Sequence, residues 1–346
     1  MLSGNDNRTV TLAGIDITKW ITQLSKTPRS KSDWGAIPTL APLNITVSSS
    51  NKEFDIIHPA SFLFGKRIDK LPLIITQFGQ VQWSGFLDSA SSDLSSKRTT
   101  LTGESILQQK IHRSARLDTN NPITPALAVQ NLLTIQNVPT DPTTFALADD
   151  ILNDTPCLVQ VHPKILTWEG TLADLLTSLC AAGIGRLYLT QNGAIGFDSF
   201  ATTSTPPISL TITDSDLMDW PTIHTTYADP VSGYTIVYLN GTATSGSQTS
   251  DKLKRLDFGI NSAVQFKDLG SAVYCGDTWQ KLSRRNYIDV DIFINHAAAS
   301  ILELGNFIQL NSVELGITQP GEIVGIDSSD ARYARLSLLL DQGESV

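Results

Sequence analysis

Three cysteines in 346 residues, Cys157, Cys180 and Cys275, are odd in number and widely spaced. They form no C-x-x-C pair and no disulfide framework, and they read as small buried hydrophobes. Charge is also scarce: 17% of residues are Asp, Glu, Lys or Arg, against a usual ~25%. A surface poor in charge and rich in Ser, Thr, Asn and Gln suits a protein whose faces are covered by partners. Positive charge is the scarcer sign, with a formal net charge of -9. Nucleic-acid binders carry a basic patch or stripe, and the only basic clusters are "KTPRSK", "LKR" and "SRR", so no specific nucleic-acid binding is expected. No apolar run approaches the ~18–20 residues of a membrane-spanning helix, so no membrane insertion is expected either. The polar start "MLSGNDNRT" does not make a secretory apolar region. The expectation is a chain made and kept soluble in a reducing cytosol.

Catalytic signatures are missing too. There is no G-x-S-x-G elbow, no P-loop and no H-E-x-x-H. The five histidines, His58, His112, His162, His224 and His296, are scattered, and none has a second metal ligand two to four residues on. Gly183-Ile184-Gly185 precedes a strand and lacks a third glycine, so it is no dinucleotide fingerprint. Carboxylates cluster at Asp149-Asp150, at Asp214, Asp216 and Asp219, and at Asp289 and Asp291. A glycosidase needs two carboxylates about 5–9.5 Å apart, and Asp289 and Asp291 would share a strand face. Alternation with Ile288, Val290 and Ile292 explains them more simply as the wet side of an amphipathic strand. "TDSDLMDWP" lacks the Gly and distal Glu of a calcium loop and reads as capping or turn chemistry. The six tryptophans are spread along the chain, which fits core or interface use better than a sugar platform. We expect no catalytic residues, no cofactor and no metal site.

What is present is mostly strand. Residues 8–103 offer "TVTLA", a turn at Ala13-Gly14, a second strand Ile15–Thr18, then "LNITVSSS", "LPLIITQF", "VQWSGFLD" and "KRTTLTG". Short strands with regular turn signals suggest a sandwich or small barrel, with a hairpin turning at Gly79-Gln80. The loop "SKTPRSKSDWGAIPT", near 25–39, exceeds the ~12–15 residues common for connections and is a candidate contact loop. From residue 104 the pattern changes. "GESILQQKI" reads as a short helical segment. Thr124 caps a helix with Pro125 at its first position, with Ala128, Leu132 and Ile135 on one face. The clearest helix is "GTLADLLTSLCAAG": Thr171 and Asp174 form its start signature, Leu172, Leu175, Leu176 and Leu179 fall on one face, and Gly183 stops it. Asn192-Gly193 between alternating runs marks a hairpin. After the linker "ATTSTPPIS" strands resume through "GYTIVYLNG", "NYIDVDIFIN", "GNFIQLNS", "GEIVGID" and "RYARLSLLL", with "LNGTATSGSQTSDK" as loop or arm.

The expected fold is mainly β with an α+β insert: two β-barrel-like domains flanking a small α/β domain. The boundaries are 1–118 for the first barrel, 119–205 for the insert and 206–346 for the second barrel. No fixed-period repeat is visible, though the two β regions could be versions of one barrel.

The order of parts resembles the tail hub (baseplate hub or tail-tip hub) proteins of tailed bacteriophages and related contractile injection machines. "VTLAGIDITKWI" is similar to the family's opening element and "LIITQFGQVQWSGFLDS" to its hairpin. "TPALAVQNLL" and "WEGTLADLLTSLCAAGIGRLYLTQNGAIGF" resemble its α/β segment, and "LGNFIQLNS…GEIVGID" its closing barrel. The resemblance implies a virion structural protein at the tail tip, assembled in the host cytoplasm. It implies a homotrimer whose two barrels per chain make a pseudo-sixfold ring between the tail tube and a threefold spike or fibre. Its partners would be itself, the tail tube or distal tail protein, the central spike or fibre and the tape-measure protein. The end at "LLLDQGESV" shows no appended lysozyme, peptidase or fibre domain, so wall degradation is expected of another chain. A lumen that passes DNA should be neutral or acidic, since clustered Lys and Arg grip phosphate. The Lys26–Lys31 and Arg284–Arg285 clusters are then expected to face protein partners. A receptor- or carbohydrate-binding tail protein and a cell-wall glycosidase are the alternative readings.

Overall fold

In the opening strand β1 (Arg8–Leu12), Val10 and Leu12 are fully buried and Thr9 and Thr11 are not. This two-residue period lets one face of a sheet meet a core. The computed structural model describes residues 8–25, 29–31, 33–38, 42–117, 119, 121–161, 170–200, 207–226, 231–246, 252–328, 330 and 332–344. It is mainly β, 44% strand and 21% helix, with a curled half-barrel sheet.

The first sheet uses β1, β2 (Ile15–Asp16) and β3 (Ile21–Leu24), skips β4 (Arg29–Ser30), and continues with β5 (Leu43–Ser48), β6 (Pro72–Gln77), β7 (Gln80–Asp93) and β8 (Arg98–Glu104). Its order is β2-β1-β6-β7-β8-β5-β3. The expected second strand is cut to Ile15–Asp16, because a 3-10 turn over Thr18–Trp20 follows at once. Thr18 closes that corner: its hydroxyl accepts the Val10 N–H and its own N–H donates to Asp16. The β6–β7 hairpin turns at Phe78-Gly79, both at positive φ, one residue earlier than the sequence suggested.

The middle segment holds α1 (Pro125–Ile135), α2 (Pro142–Asn153), β9 (Val159–Val161), α3 (Leu172–Gly183), β10 (Gly185–Leu189) and β11 (Ile195–Ser199). Thr124 and the Thr171–Asp174 capping box act as expected, and Leu172, Leu175, Leu176 and Leu179 are all fully buried. Ile135 is not: it is 55% exposed. Val129 and Leu133 share the interior with Ala128 and Leu132, so at 100° per residue Ile135 falls about 100° from the centre of the buried face. The expected helix in "GESILQQKI" is absent. Ser105 gathers the N–H groups of Gln108 and Gln109, and the segment continues as turns, being too short to propagate a helix on its own.

The chain then runs through β12 (Ile208–Thr213) and β13 (Asp219–Thr226), then β14 (Gly233–Tyr238), β15 (Gly241–Gly246), β16 (Leu253–Asp257), β17 (Val264–Phe266) and α4 (Leu269–Ser283). It ends with β18 (Arg285–Ile294), α5 (His296–Ser300), β19 (Phe307–Ser312), β20 (Ile317–Asp327) and β21 (Ala334–Glu344). β15 lies inside the stretch read as loop or arm and pairs with β14 over six residue pairs. β14–β17 and α4 do not join the final sheet. β17 pairs with β9, and Val231, Ile236, Phe266, Cys275 and Leu282 share one core with the middle segment. Val290, Ile292, Ile308, Leu310, Leu336 and Leu338 form a separate core under the last sheet.

Candidate assembly surfaces

The two large sheets are one design used twice. The last sheet runs β12-β19-β20-β21-β18-β13, with β4 joining off the path. Replacing β12 by β2, β13 by β3, β18 by β5 and β19–β21 by β6–β8 reproduces the first sheet, with β1 inserted between β2 and β6. Every matched neighbour pair is antiparallel in both. In each sheet the two outermost strands are joined by a short link containing a 3-10 turn, at Thr18–Trp20 and Asp214–Asp216. Strands at opposite edges can be joined by so few residues only if the sheet curls back on itself. The links carry Asp16-Ile17-Thr18-Lys19-Trp20 and Asp216-Leu217-Met218-Asp219-Trp220. The shared Asp and Trp were too sparse a signal to mark a repeat in the sequence.

The copies differ in what covers the link. Trp20 packs edge-on against Phe54 at 5.5 Å, from the long β5–β6 connection (49–71). Its counterpart between β18 and β19 spans only 295–306, and Trp220 is left 71% exposed. Ile223, 43% exposed, lies on the same outermost strand, and Met218, 55% exposed, in the link just before it. Such an edge with large apolar side chains is open to pairing with another chain. A tryptophan presents roughly 150–250 Å², so covering Trp220 is worth about 3 kcal/mol at ~25 cal/mol per Å².

The loop near 25–39 leads into the chain itself. β4 pairs with β20, Arg29 opposite Ile326 and Ser30 opposite Gly325, and the Lys31 N–H donates to Val324. Lys31 Nζ then donates to Asp198 at 2.7 Å and Glu322 at 2.5 Å. Arg186 binds the same two carboxylates, and Arg29 binds Glu303. The three cationic side chains are 2–4% exposed. Burial pushes the Asp198 carboxyl up, but Lys31 and Arg186 together hold it below its ordinary value. Burial pulls Arg29 down against the pull of Glu303, whereas Glu322 and Asp198 outweigh burial at Arg186 and raise it. Arg186 lies 4.0 Å over the Trp34 ring and Lys31 4.8 Å over Tyr188. Gly35, at φ +76°, passes so close to Trp279 that a Cβ would sit 2.8 Å from the indole.

This overturns, for Arg29 and Lys31, the expectation that the Lys26–Lys31 cluster faces partners, whereas Arg284 is exposed and Arg285 half-buried at the surface. Arg29 and Lys31 close a balanced lock between the first sheet's arm, the β10–β11 hairpin and the last sheet, and Arg285 pairs with Asp341 and lies over Phe200. The expectation had counted charges along the chain and had no means to see carboxylates Asp198, Glu303 and Glu322 converge from afar. Lys26 lies outside the described residues.

Asp289 and Asp291 sit on the face of β18 opposite Val290, Ile292 and Ile294. Asp291 accepts the Ser337 hydroxyl at 2.6 Å and lies 3.7 Å from Arg335. Asp214 accepts from the Ser312 hydroxyl and the Val313 and Glu314 N–H groups, and Asp216 completes a capping box with Thr213. Those are the wet-face and turn roles expected. Asp149 accepts the Thr124 hydroxyl. His296 bonds the Asp330 carbonyl at 2.8 Å, and His224 lies exposed on β13. His162 lies outside the described residues, as does Trp168. Among the described residues no three His, Cys, Asp or Glu side chains gather to hold a metal. All three cysteines are buried, and burial raises each thiol, Cys157 to about 12.

The fold as a whole is similar to that of solved phage tail proteins. A tail protein from Neisseria meningitidis MC58 aligns over 97% of this chain and 96% of its own, at 12% identity and a TM-score of 0.57. The 43 kDa tail protein of prophage MuSo2 from Shewanella oneidensis aligns over 99% and 100%, at 11% identity and a TM-score of 0.56. At such identity the likeness is one of fold. No protein-family model matches the sequence, and no curated protein does.

Proposed function

We propose that this chain is a structural protein of a phage tail, acting as the hub at the distal end of the tail tube and carrying no catalytic role. Three copies form a ring in which the two barrel-like sheets of each chain alternate, so that a trimer offers six similar walls to a sixfold tube. The same ring presents three identical units to a spike or fibre, and its lumen passes DNA and the tape-measure protein. The observation that carries this reading is the repeated strand order, because alternation around a ring requires two walls of one design in each chain. The full-length match to two tail folds supports it, and the bare Trp220 edge supplies a surface that assembly would cover. The domain division at 118 and 205 stands within this proposal, with the 231–283 excursion working as part of the central unit. A sugar platform gathers less support, since Trp220 is the one strongly exposed tryptophan among the described residues. Labelling this chain in purified particles and imaging them tests the placement. Label at the tail tip is expected; label on the head or along the tube overturns it.

A further inference from the structure

We propose that the second half of β7 is an open docking edge, filled when an extended segment of a second copy of this chain adds to it as a strand. The last sheet shows the filled form. β20 runs past its neighbour β19, pairing with it only from Ile317 to Glu322. The next N–H, of Ile323, donates to the Asn306 carbonyl, and a bulge follows between Ile323 and Gly325. From there β4 takes the side that β19 has left. The Lys31 N–H donates to the Val324 carbonyl, and Ser30 and Arg29 lie opposite Gly325 and Ile326.

The first sheet repeats every step but the last. β7 pairs with β6 only from Gln80 to Phe86. The next N–H, of Leu87, donates to the Leu71 carbonyl, and a bulge follows between Leu87 and Ser89. The strand on the other side agrees: Ser89 and Ala90 face Thr102 and Leu101, as Gly325 and Ile326 face Ser337 and Leu336. Asp88, Ser89 and Ala90 are therefore the counterparts of Val324, Gly325 and Ile326. Among the described residues no strand pairs with them on the β6 side. Asp88, Ser89 and Ser91 are exposed and Ala90 is half-buried, whereas Gly325, Ile326 and Asp327 beside β4 are all buried.

Ladder bonds of an antiparallel strand alternate between its two sides. The register of β4 thus turns the Val324 carbonyl and the Ile326 N–H to one side of β20. The same register turns the Asp88 carbonyl and the Ala90 N–H to the open side of β7. A donor and an acceptor so spaced on a sheet edge are a template for strand addition. The occupant follows from where β4 comes from. It leaves the outermost strand β3 of the first sheet and docks on the last sheet, a step from one wall to the next. In a head-to-tail ring of alternating walls that step recurs between chains, from the last sheet of one copy to β7 of the next. The choice of occupant rests on the ring reading, whereas the open edge does not.

Two variants of the full chain test this. Ala90→Pro removes the open-side N–H and spares the β8 ladder, a position where a strand accepts proline. It should melt with the wild type while self-association, read by sedimentation, weakens by about tenfold or more. Ser91→Cys puts one exposed thiol on the edge, and the three native cysteines are buried, so a benzophenone maleimide labels it selectively. Irradiation should join two copies, with the joined peptide from residues 206–346 of the second copy. A folded Ala90→Pro that associates as tightly as the wild type, with no crosslink from Ser91→Cys, overturns the docking edge and leaves the ring reading standing. Crosslinks in particles that join only a different tail protein keep the edge and overturn the second copy as its occupant. A wild type that stays monomeric, with no crosslink from Ser91→Cys in particles, overturns both.

Discussion

Replacing Lys31 by methionine keeps the aliphatic stem and removes only the ammonium from the lock. Asp198 and Glu322, with side chains 30% and 12% exposed, would then share Arg186 alone. Leaving a buried charge short of its partner costs about 3–5 kcal/mol. Arg186 persists and Asp198 keeps some water, so we expect about 2–4 kcal/mol for Lys31→Met. Against a total stability of roughly 5–15 kcal/mol, urea denaturation at pH 7 would show that as a large fall in midpoint. Adding Glu322→Gln removes the orphaned charge, and the double variant should recover part of the loss, with a coupling of roughly 1–3 kcal/mol. The pH dependence has a definite sign. Asp198 is held below its ordinary value, so its stabilisation is complete above the unfolded-chain value of about 3.9. It fades as pH falls through the lower folded value. The wild type should therefore draw constant support from this group between pH 5 and 8 and lose it below about 4, while Lys31→Met, lacking one depressing charge, should begin to lose it at higher pH. A Lys31→Met midpoint within about 0.5 kcal/mol of wild type, with no coupling to Glu322→Gln, would refute the buried lock.

Leu175→Asp or Leu176→Asp should abolish folding of the central unit, since each puts an unpaired charge at a fully buried position at a cost of several kcal/mol; soluble protein with unchanged melting would show the face of α3 to be misassigned. The two matched tryptophans should separate cleanly in denaturation and sizing experiments. Trp20→Ala should cost the folded chain about 2–3 kcal/mol, whereas Trp220→Ala should cost it under ~0.5 kcal/mol and instead weaken self-association; equal destabilisation by both would remove the case for an assembly edge at β13.

Where the signal was local, the sequence was legible. The Thr171–Asp174 box, the leucine face of α3 and the alternation in β1, β5 and β18 depend on neighbours a few residues apart, and each appears where expected. One element went unread although its signal was present: Asp141-Pro142 opens α2 as Thr124-Pro125 opens α1. The lock was not legible by any local rule. Lys31 meets Glu322 at a separation of 291 residues, and only the completed strand order brings β4 beside β20. The same holds for the sheet repeat, whose matched links share an Asp and a Trp while the walls around them keep only the pattern of alternation.

The central claim is that three chains close one ring from two walls each, and the molar mass of the purified chain tests it most directly. Light scattering coupled to size exclusion, run over a range of concentrations, should give a plateau at three times the chain mass of 37.5 kDa, with ring-shaped particles in the same fractions. A single species of one chain mass at every concentration, with no ring in those fractions, would contradict it.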